Sequence, residues 1–342
     1  MVVREYGSPL ERIELPPPEL RPGHALLEVL TCGVCFSDVK TARGKMPYSA
    51  ELALPHVPGH EICARVLETD PHGALDPGTL VVAHHVWPCR RCDRCRAGEE
   101  NICRNPQAWM GFTDPGGFQE RLVVPVDRLA PVPPGIDPVH AAPLTCALGT
   151  AYRSVVTRGR VAGGTRTVVI GLGGVGLHAL QVASAVGAMA IGLDISDRAI
   201  VAAHELGLDA RRADAADIEP ELLVASGGDG IDVVVDTVGR DATISQAERL
   251  VRPGGRIVAV GYAVDTGFVV PAARFVIEEV ELIGSRYVQR DELARAIRLV
   301  ADGRVRMVID RVTPLEDAND ALAALEANEV VGRVVLDVAG VT

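Results

Sequence analysis

Residues Thr167–Asp194 read TVVIGLGGVGLHALQVASAVGAMAIGLD, and this stretch decides the fold. Thr167–Ile170 is a short β-branched run that predicts a buried parallel strand, and Leu177–Val186 carries apolar residues at helical spacing. Between them, Gly171-Leu172-Gly173-Gly174-Val175-Gly176 matches G-x-G-x-x-G. Glycine triplets alone usually mark loops. A triplet placed between a strand and a helix instead predicts a dinucleotide-binding turn.

Each glycine has its own task in such a turn. Gly171 permits the tight turn, Gly173 lets the backbone approach a pyrophosphate, and Gly176 lets the helix pack close to the strand. The pyrophosphate would lie on the free N–H groups at the positive end of the helix. A second strand, Met189–Leu193, ends at Asp194, about 20 residues along, where a carboxylate accepts the ribose hydroxyls and repels a 2′-phosphate. The stretch therefore predicts that NAD binds in preference to NADP.

The composition is typical of a soluble globular protein with two domains, because 342 residues are 48% hydrophobic and 23% charged. The net charge is −11, and no basic stripe is present, which argues against nucleic acid or an anionic membrane as a partner. The sequence shows no signal peptide and no run of about 18 apolar residues that could span a membrane. It therefore predicts a cytoplasmic protein, in which eight cysteines are expected to bind metal rather than form disulfides.

Local composition and hydrophobic periodicity divide the chain into three parts. Residues 1–147 are rich in Pro and Gly and predict an irregular β domain. In residues 148–285 a helix at Leu148–Thr157 precedes strands that alternate with helical or connecting segments, which predicts a doubly wound parallel sheet. Residues 286–342 predict two amphipathic helices and a final strand that return to the first domain. The predicted strands are Ala25–Leu30, Thr79–Ala83, Phe118–Val124, Thr167–Ile170, Ala190–Leu193, Val233–Asp236, Arg256–Val260, Val280–Ile283 and Val330–Val338, and the two late helices are Arg290–Gly303 and Leu315–Asn328.

Four cysteines, Cys89, Cys92, Cys95 and Cys103, form a C-x2-C-x2-C-x7-C pattern in a polar, Arg-rich segment. Four thiolates at this spacing can surround one tetrahedral Zn²⁺ at about 2.3 Å each and leave no open position, which is typical of a structural site. An iron–sulfur cluster can use similar spacing, and free core thiols are a third interpretation. The polarity of the segment argues against core thiols.

Three further stretches each place a metal ligand beside polar groups. They are Gly33–Asp38 (GVCFSD), Pro58–Glu61 (PGHE) and Pro143–Thr150 (PLTCALGT). Taken singly, their cysteines could be buried thiols and their histidine a turn residue. Together with the nucleotide-binding turn and the four-cysteine segment, they predict a second metal site.

In order and spacing, these motifs resemble those of the zinc-dependent medium-chain alcohol dehydrogenases over essentially the whole chain. The resemblance implies an α/β protein with a GroES-like catalytic domain and a Rossmann coenzyme domain, assembled as a homodimer or homotetramer. The shared landmarks are GVCxSD at Gly33–Asp38, GHE at Gly59–Glu61, the four cysteines, GGFQE at Gly116–Glu120, CALGTAY at Cys146–Tyr152, GLGGVG at Gly171–Gly176 and GRVV at Gly332–Val335.

The resemblance also implies roles for individual residues. Cys35, His60 and Cys146 would bind a catalytic zinc and leave its fourth position open for substrate. Glu61 resembles a carboxylate that can coordinate the metal transiently, and Asp38 resembles the group that orients the histidine. The implied NAD contacts are Gly171, Gly173, Gly174, Val175, Gly176, Asp194, Val260, Gly261, Ser285 and Arg333, the last of which would reach the pyrophosphate. The remaining cysteines, which match no ligand position and are expected in the core, are Cys32 and Cys63.

Such a site would acidify an alcohol on zinc and transfer its hydride to NAD. The nicotinamide must reach the substrate carbon, which predicts a site between the two domains. Ser37 follows Cys35 closely and is placed to take the alcohol proton, because a hydroxyl can donate and accept together.

Two positions depart from the family pattern. Phe36 stands where a basic residue often contacts cofactor phosphates, and Lys40 stands where a histidine often ends the proton relay. Lys40 is expected either to stabilise negative charge or to lie in solvent without a role. The pocket-lining candidates by resemblance are Phe36, Tyr48, His85, Trp109 and Arg286. His85 could instead be, like its neighbour His84, a strand-end histidine in solvent.

Two other functions fit parts of the pattern. A polyol or amino-alcohol dehydrogenase often has an acidic residue where Cys146 stands, and a non-catalytic nucleotide-binding sensor would keep only the structural zinc. The joint presence of Cys35, His60, Cys146 and Ser37 favours an enzyme. The sequence therefore predicts a zinc- and NAD-dependent alcohol dehydrogenase that acts on a small alcohol or carbonyl compound.

Overall fold

The computed structural model describes residues 1–70, 75–263 and 267–341, which form two compact units. Unit 1 comprises Met1–Cys146, Gln289–Ile297 and Ile309–Thr342, and unit 2 comprises Ala147–Val288 and Arg298–Val308. Residues 298–308, which the sequence analysis placed in the returning segment, belong to unit 2.

The strands and α-helices of the described residues are numbered in chain order. The strands are β1 (His24–Val34), β2 (Glu61–Thr69), β3 (Leu80–Ala83), β4 (Val86–Trp87), β5 (Ala108–Trp109), β6 (Arg121–Pro125), β7 (Leu129–Pro131), β8 (Arg166–Ile170), β9 (Met189–Asp194), β10 (Asp209–Arg212), β11 (Ile231–Asp236), β12 (Val251–Ala259), β13 (Glu281–Gly284), β14 (Ile309–Pro314) and β15 (Arg333–Asp337). The helices are α1 (Phe36–Ala42), α2 (Asp93–Arg96), α3 (Pro138–Ala141), α4 (Ala147–Tyr152), α5 (Gly176–Ala185), α6 (Asp197–Glu205), α7 (Ile218–Ala225), α8 (Asp241–Leu250), α9 (Ala272–Ile277), α10 (Arg290–Ala301) and α11 (Ala318–Glu326).

The main sheet of unit 1 has seven strands in the order β14-β15-β1-β2-β3-β7, and β6 also pairs with β1. The first residues of β1 alternate between half-buried and buried, whereas Leu30–Val34 are all buried. The alternation is typical of a strand with one face on the core, and the buried run indicates that both faces are covered. β15 pairs antiparallel with this buried end, opposite Val34 and Gly33. The last strand of the chain therefore lies beside the first.

Unit 2 contains a six-stranded sheet in the order β10-β9-β8-β11-β12-β13, and every pairing is parallel. Its central strands are continuous apolar runs, such as Val168–Ile170 and Val233–Val235, because helices cover both faces of such a sheet. The strand order reverses between β8 and β11, and ligands of this fold bind at the carboxyl ends of the strands near that reversal. The predicted doubly wound parallel sheet is confirmed.

Some observed elements differ from the predicted ones, and β2, β4, β5, β7, β10 and β14 were not predicted. The helix predicted at Leu148–Thr157 is α4 followed by a π-helical turn at Arg153–Arg158. Leu315–Asn328 is a 3₁₀ turn followed by α11. None of the helices in the described ranges is both long and apolar enough to cross a lipid bilayer.

Candidate active site

Four side chains of unit 1 that are chemically able to bind a metal ion meet near the end of β1 and the start of β2. Cys35 follows β1 and caps helix α1, Glu61 opens β2 directly after His60, and Cys146 directly precedes α4. The ligand atoms of Cys35, His60, Glu61 and Cys146 all lie within 4.8 Å of one another, and all four residues are buried. The dispersed residues that the sequence singled out are thus gathered at one point.

Two glycines explain why the chain can bring these groups so close. Gly33 pairs with Glu61 across the two antiparallel strands. A Cβ atom added at Gly33 would lie 2.5 Å from Oε2 of Glu61, so a larger residue would displace the carboxylate. Gly59 has φ of +99°, a left-handed conformation that glycine adopts without steric cost, and it directs the following His60 into the site.

Asp38 organises the ligands through hydrogen bonds from three different groups. Its Oδ2 accepts the Cys35 backbone N–H at 2.8 Å, and its Oδ1 accepts from the Gly59 N–H and from His60 Nδ1, both at 3.2 Å. Because Nδ1 donates to the carboxylate, Nε2 of the neutral ring keeps a free lone pair. Nε2 of His60 is buried and has no hydrogen-bond partner among the described residues. The site therefore fits a metal ion at this nitrogen.

The surrounding charges favour a thiolate at Cys35. The hydrogen bond from Cys146 lowers the pKa of Cys35 well below its usual value, and the positive charges of Arg333 and His60 add to this effect against burial. Burial by itself lowers the pKa of His60, but the Asp38 carboxylate and the Cys35 thiolate together outweigh it and raise that pKa to about 10. A zinc ion would replace the proton on this imidazole, so metal binding at neutral pH releases protons.

Arg333 lies in the same group of buried residues. It opens β15, and its Nη2 donates to Glu61 Oε1 at 2.9 Å while its Nε contacts both carboxylate oxygens at 3.1 Å. Nη2 also lies 3.6 Å from the Cys35 sulfur. The resemblance assigned Arg333 to the cofactor pyrophosphate, whereas within unit 1 its guanidinium holds Glu61 beside the metal ligands.

Replacing Arg333 with methionine is expected to lower the free energy of unfolding of unit 1 by about 3–5 kcal/mol, because Glu61 then lacks its partner in a buried site. Both tryptophans of the chain, Trp87 and Trp109, lie in unit 1, so urea unfolding followed by tryptophan fluorescence reports on this unit. The exposed pair Arg65–Glu28 provides the control, since Arg65→Met should cost less than about 1 kcal/mol. Equal effects of the two substitutions would contradict the assignment.

The cysteine segment of unit 1 forms a second, compact donor set. The sulfur of Cys92 lies 3.5 Å from that of Cys95 and 3.9 Å from that of Cys103, and Cys89 and Cys95 are 3.9 Å apart. A tetrahedron with ligands at about 2.3 Å has edges of about 3.8 Å, which matches these separations. An iron–sulfur cluster would need room for its own iron and sulfide atoms between the thiolates. The geometry therefore fits one zinc ion and excludes the cluster and core-thiol interpretations.

In unit 2, the cofactor candidates lie at the carboxyl ends of neighbouring parallel strands. The glycine turn follows β8, Asp194 ends β9, Val260 and Gly261 follow β12, and Ser285 follows β13. Gly171 has φ of +86°, and a Cβ at Gly176 would lie 1.6 Å from the Gly171 carbonyl oxygen, so both glycines are required. A Cβ at Gly173 would meet nothing within 4 Å, which leaves open space above the turn.

Comparison with known proteins agrees with this geometry. Residues 21–134 match the family described as alcohol dehydrogenase GroES-like domain, and residues 174–302 match the zinc-binding dehydrogenase family. The chain is 31% identical to an NAD-dependent alcohol dehydrogenase of Sulfurisphaera tokodaii, over 97% of both chains. It is 30% identical to an alcohol dehydrogenase of Geobacillus stearothermophilus, over 98% of this chain and 97% of the relative. The chain belongs to the zinc-dependent medium-chain alcohol dehydrogenases.

Solved structures of this family have the same fold. The crystal structure of the alcohol dehydrogenase from Aeropyrum pernix superimposes with a TM-score of 0.90 at 30% identity, covering 98% of this chain and 99% of that chain. The GroES-like and Rossmann parts expected from the sequence are thereby confirmed.

Aromatic rings surround the metal-site histidine of this dehydrogenase. The Phe112 ring centroid lies 4.4 Å from that of His60, and the His85 centroid lies 5.4 Å from it. Tyr48 packs against Trp109 and Phe112 at 5.5 and 6.2 Å. Phe112 was not predicted as a pocket residue, although it lies only three residues after Trp109 and just before the GGFQE motif.

Both neighbouring histidines are buried, so the interpretation of His84 and His85 as strand-end residues in solvent is wrong. Burial, together with the charges of Arg128 and Arg290, lowers the pKa of His84 to about 3, so this residue is neutral. The other pocket candidates differ in exposure. Phe36 is 47% exposed, and the Arg286 guanidinium, in unit 2, stacks 4.5 Å from the Tyr287 ring centroid.

Ser37 and Lys40 lie on the short helix α1 that follows Cys35. Both are half-buried, and the Lys40 ammonium lies 5.9 Å from the Phe36 ring centroid. Burial lowers the pKa of Lys40, although the negative charge of Cys35 acts in the opposite direction. The expectation of a fully solvated lysine therefore does not hold.

Asp194 also supports the glycine turn directly. Its Oδ2 accepts the Leu172 N–H at 2.5 Å, and its Oδ1 accepts the Ser196 N–H at 2.8 Å. The carboxylate is thus fixed between the turn and the start of α6. The hydroxyl oxygen of Ser285 is buried without a hydrogen-bond partner among the described residues, so it has unused capacity for a ligand.

Proposed function

We propose that this enzyme oxidises a primary or secondary alcohol reversibly to an aldehyde or ketone, with NAD as the hydride acceptor. The observation that carries the proposal is the buried set of Cys35, His60 and Cys146, with His60 Nε2 free for a metal, in a chain that also has the Rossmann turn. A sensor with only structural zinc would not need this second set.

The residues of the chain have distinct tasks in this reaction. Cys35, His60 and Cys146 would hold zinc, and Asp38 keeps the imidazole in the required tautomer. When bound, zinc lowers the pKa of the substrate hydroxyl and NAD accepts the hydride. The half-buried hydroxyl of Ser37 takes the alcohol proton and passes it outward, since it can accept and donate at once.

The ring cluster indicates the kind of alcohol. The side chains of Tyr48, Trp109 and Phe112 form an apolar wall beside His60, and such a wall favours an alcohol with a hydrophobic substituent. NADH formation should be measured with matched primary, secondary, cyclic and aromatic alcohols and with polyols. Turnover of hydrophobic alcohols supports the proposal, preferential turnover of polyols would contradict this substrate class, and no turnover of any alcohol would contradict the proposed function.

Changing Ser37 to alanine is expected to lower kcat by about 100-fold or more, because a positioned proton acceptor contributes about 10²–10⁴-fold. Lys40→Ala should lower kcat less than about tenfold, and Lys40→His should introduce a titration near pH 6.5 into the pH profile. Thr41, whose hydroxyl donates to the Ser37 carbonyl on the same helix, gives a matched control as Thr41→Val. Full activity of Ser37→Ala would refute the relay, and a loss of several orders of magnitude in Lys40→Ala would make Lys40 the essential base.

The NAD preference is expected to depend on the charge of Asp194. Repulsion of a 2′-phosphate and loss of the ribose hydrogen bonds cost about 2–3 kcal/mol, or about 30–150-fold in kcat/KM. Asp194→Asn keeps an oxygen that can accept the Leu172 N–H and loses the acceptor for the Ser196 N–H, so it should narrow the preference for NAD mainly through KM while the glycine turn keeps its own hydrogen bond. The exposed acid Asp197 on α6 provides the control, as Asp197→Asn. Equal or better use of NADP by the unchanged enzyme would show that the assignment is wrong.

We also propose that the enzyme is a cytoplasmic homo-oligomer. The family resemblance supports the assembly, and the eight free cysteines are consistent with a reducing compartment. Light scattering coupled to size-exclusion chromatography distinguishes a dimer from a tetramer or a monomer.

A further inference from the structure

A cleft of about 430 Å³ opens at the amino ends of the parallel strands in unit 2. This edge of the sheet is opposite the edge that carries the glycine turn and Asp194, because all the strands run in one direction. The cleft is lined by Gly159, Arg160, Gly163, Gly164, Thr165, Asp232, Val233, Arg252, Gly254 and Arg256. Only one of these residues, Val233, has a sizeable apolar side chain, so the lining suits a polar ligand.

Positive charge predominates around the cleft, in a chain whose net charge is −11. The guanidiniums of Arg158, Arg160, Arg166, Arg252 and Arg256 surround the carboxylates of Asp229, Asp232 and Glu281. Hydrogen bonds from Arg166 and Arg252 hold the pKa of Asp232 well below its usual value against the effect of burial, so this acid is ionised. The acids therefore neutralise only some of the arginines.

Three of these arginines have donors that the protein does not use. Arg160 is 69% exposed at its side chain, and its one ion pair within the described ranges, with Glu281, is long at 3.7 Å. Arg252 uses Nε on Asp232 and Nη1 on the Pro253 carbonyl, which leaves Nη2 without a partner among the described residues. Arg256 uses its two terminal nitrogens on Gly159 and Glu281, and its Nε, although it has no partner in the described part of the chain, is buried, so Arg256 contributes mainly its positive charge.

We propose that this cleft binds a phosphate group, either as inorganic phosphate or as the phosphoryl end of a small metabolite. Planar guanidiniums with several N–H donors match the tetrahedral oxygens of phosphate, and these charge-assisted hydrogen bonds are among the strongest in proteins. Glycines at four lining positions let the backbone approach such a ligand closely. The site is separate from the metal ligands and from the cofactor turn, so the proposal does not depend on the proposed function.

The test is isothermal titration calorimetry of inorganic phosphate into the full-length protein saturated with NAD, which keeps phosphate away from the glycine turn. A parallel titration uses ribose 5-phosphate, and sodium chloride at equal ionic strength controls for screening. Arg160→Gln and Arg252→Gln remove unused donors, and Asp232 keeps its three hydrogen bonds from Arg166 in the second variant. Arg295→Gln, on an exposed ion pair of α10, is the matched control.

We expect saturable phosphate binding that weakens at least tenfold in each cleft variant and is unchanged in Arg295→Gln. Tighter binding of ribose 5-phosphate would identify an organic phosphate as the ligand, and equal binding would identify free phosphate. The proposal is overturned if neither compound binds, if chloride gives the same signal, or if the cleft variants bind as tightly as the unchanged protein. Arg160 is too exposed for its loss to impair folding. Unchanged phosphate affinity in Arg160→Gln would therefore be decisive against the proposal.

Discussion

Replacing Cys146 with alanine is expected to lower kcat/KM for alcohol oxidation by about 1000-fold or more and to reduce bound zinc from two ions per chain to one. Loss of groups that only support metal ligands costs about 10–100-fold in metal affinity or activity, so loss of a ligand itself should cost more. The donor atoms of this site lie within 4.8 Å of one another, and the remaining member of the set, Glu61, is held by the Arg333 guanidinium, so its carboxylate is a poor substitute for the missing sulfur. Elemental analysis and initial rates of the purified variant provide the measurement.

Cys63 gives the matched control for this substitution. It is a buried thiol that belongs to neither donor set, and burial raises its pKa to about 12. Cys63→Ala should keep both zinc ions and most of the activity. If the unchanged protein held only one zinc ion, or if Cys146→Ala kept two ions and normal rates, the assignment of the catalytic site would fail.

The second large effect is expected at the four-cysteine segment. Cys103→Ser should remove the other zinc ion and lower the melting temperature of unit 1 by about 10 °C, which corresponds to about 4–5 kcal/mol for a unit of this size. The reason is that binding energy at a closed metal site is folding energy. The tryptophans Trp87 and Trp109 flank this segment in sequence, so their fluorescence should follow its unfolding.

Substitutions at the two metal sites should have opposite effects: the site with Cys146 should govern activity, and the four-cysteine site should govern stability. Cys146→Ala should abolish most of the activity and change the melting temperature little. Cys103→Ser should lower the melting temperature strongly, while its catalytic rate, assayed at low temperature, should stay measurable. The two-site assignment is excluded if Cys103→Ser melts like Cys63→Ala. It is also excluded if a mild chelator destabilises the protein before it abolishes activity.

The structural features that were predicted best from the sequence are those set by a local pattern of residues. The glycine turn, the buried strands β8 and β11 and the spacing of Cys89–Cys103 are each set by neighbours within a short stretch, and the structure agrees with them. The edge strands β10 and β14 were missed, as were the short strands β4, β5 and β7 and the buried strand β2. β10 reads Asp-Ala-Arg-Arg and pairs only with β9, so it lacks the apolar run that reveals a buried strand.

The features that could not be predicted from the sequence are those that depend on contacts between distant segments. His84 and His85 are buried because other segments pack around them. The dipeptide itself is polar, so its sequence gives no sign of this burial. The Arg333–Glu61 pair joins residues separated by 272 positions, and nothing in either motif specifies the other. Lys40 was expected either in solvent or on a phosphate because its surroundings, which lower its pKa, come from the tertiary fold.

The position of β15 has a consequence for how the chain folds during synthesis. β1 leaves the ribosome before unit 2 is made, but the strand that covers its buried end, and the arginine that pairs with Glu61, are made only after all of unit 2. Long-range pairing of this kind is slow and leaves an open strand edge until the partner arrives. The nascent chain therefore completes its coenzyme unit first and its metal-site unit last, against the usual N-terminal-first order. During that interval the backbone groups of Thr31–Val34 on the β1 edge lack the partners that β15 will supply, and this edge is open to pairing with other chains.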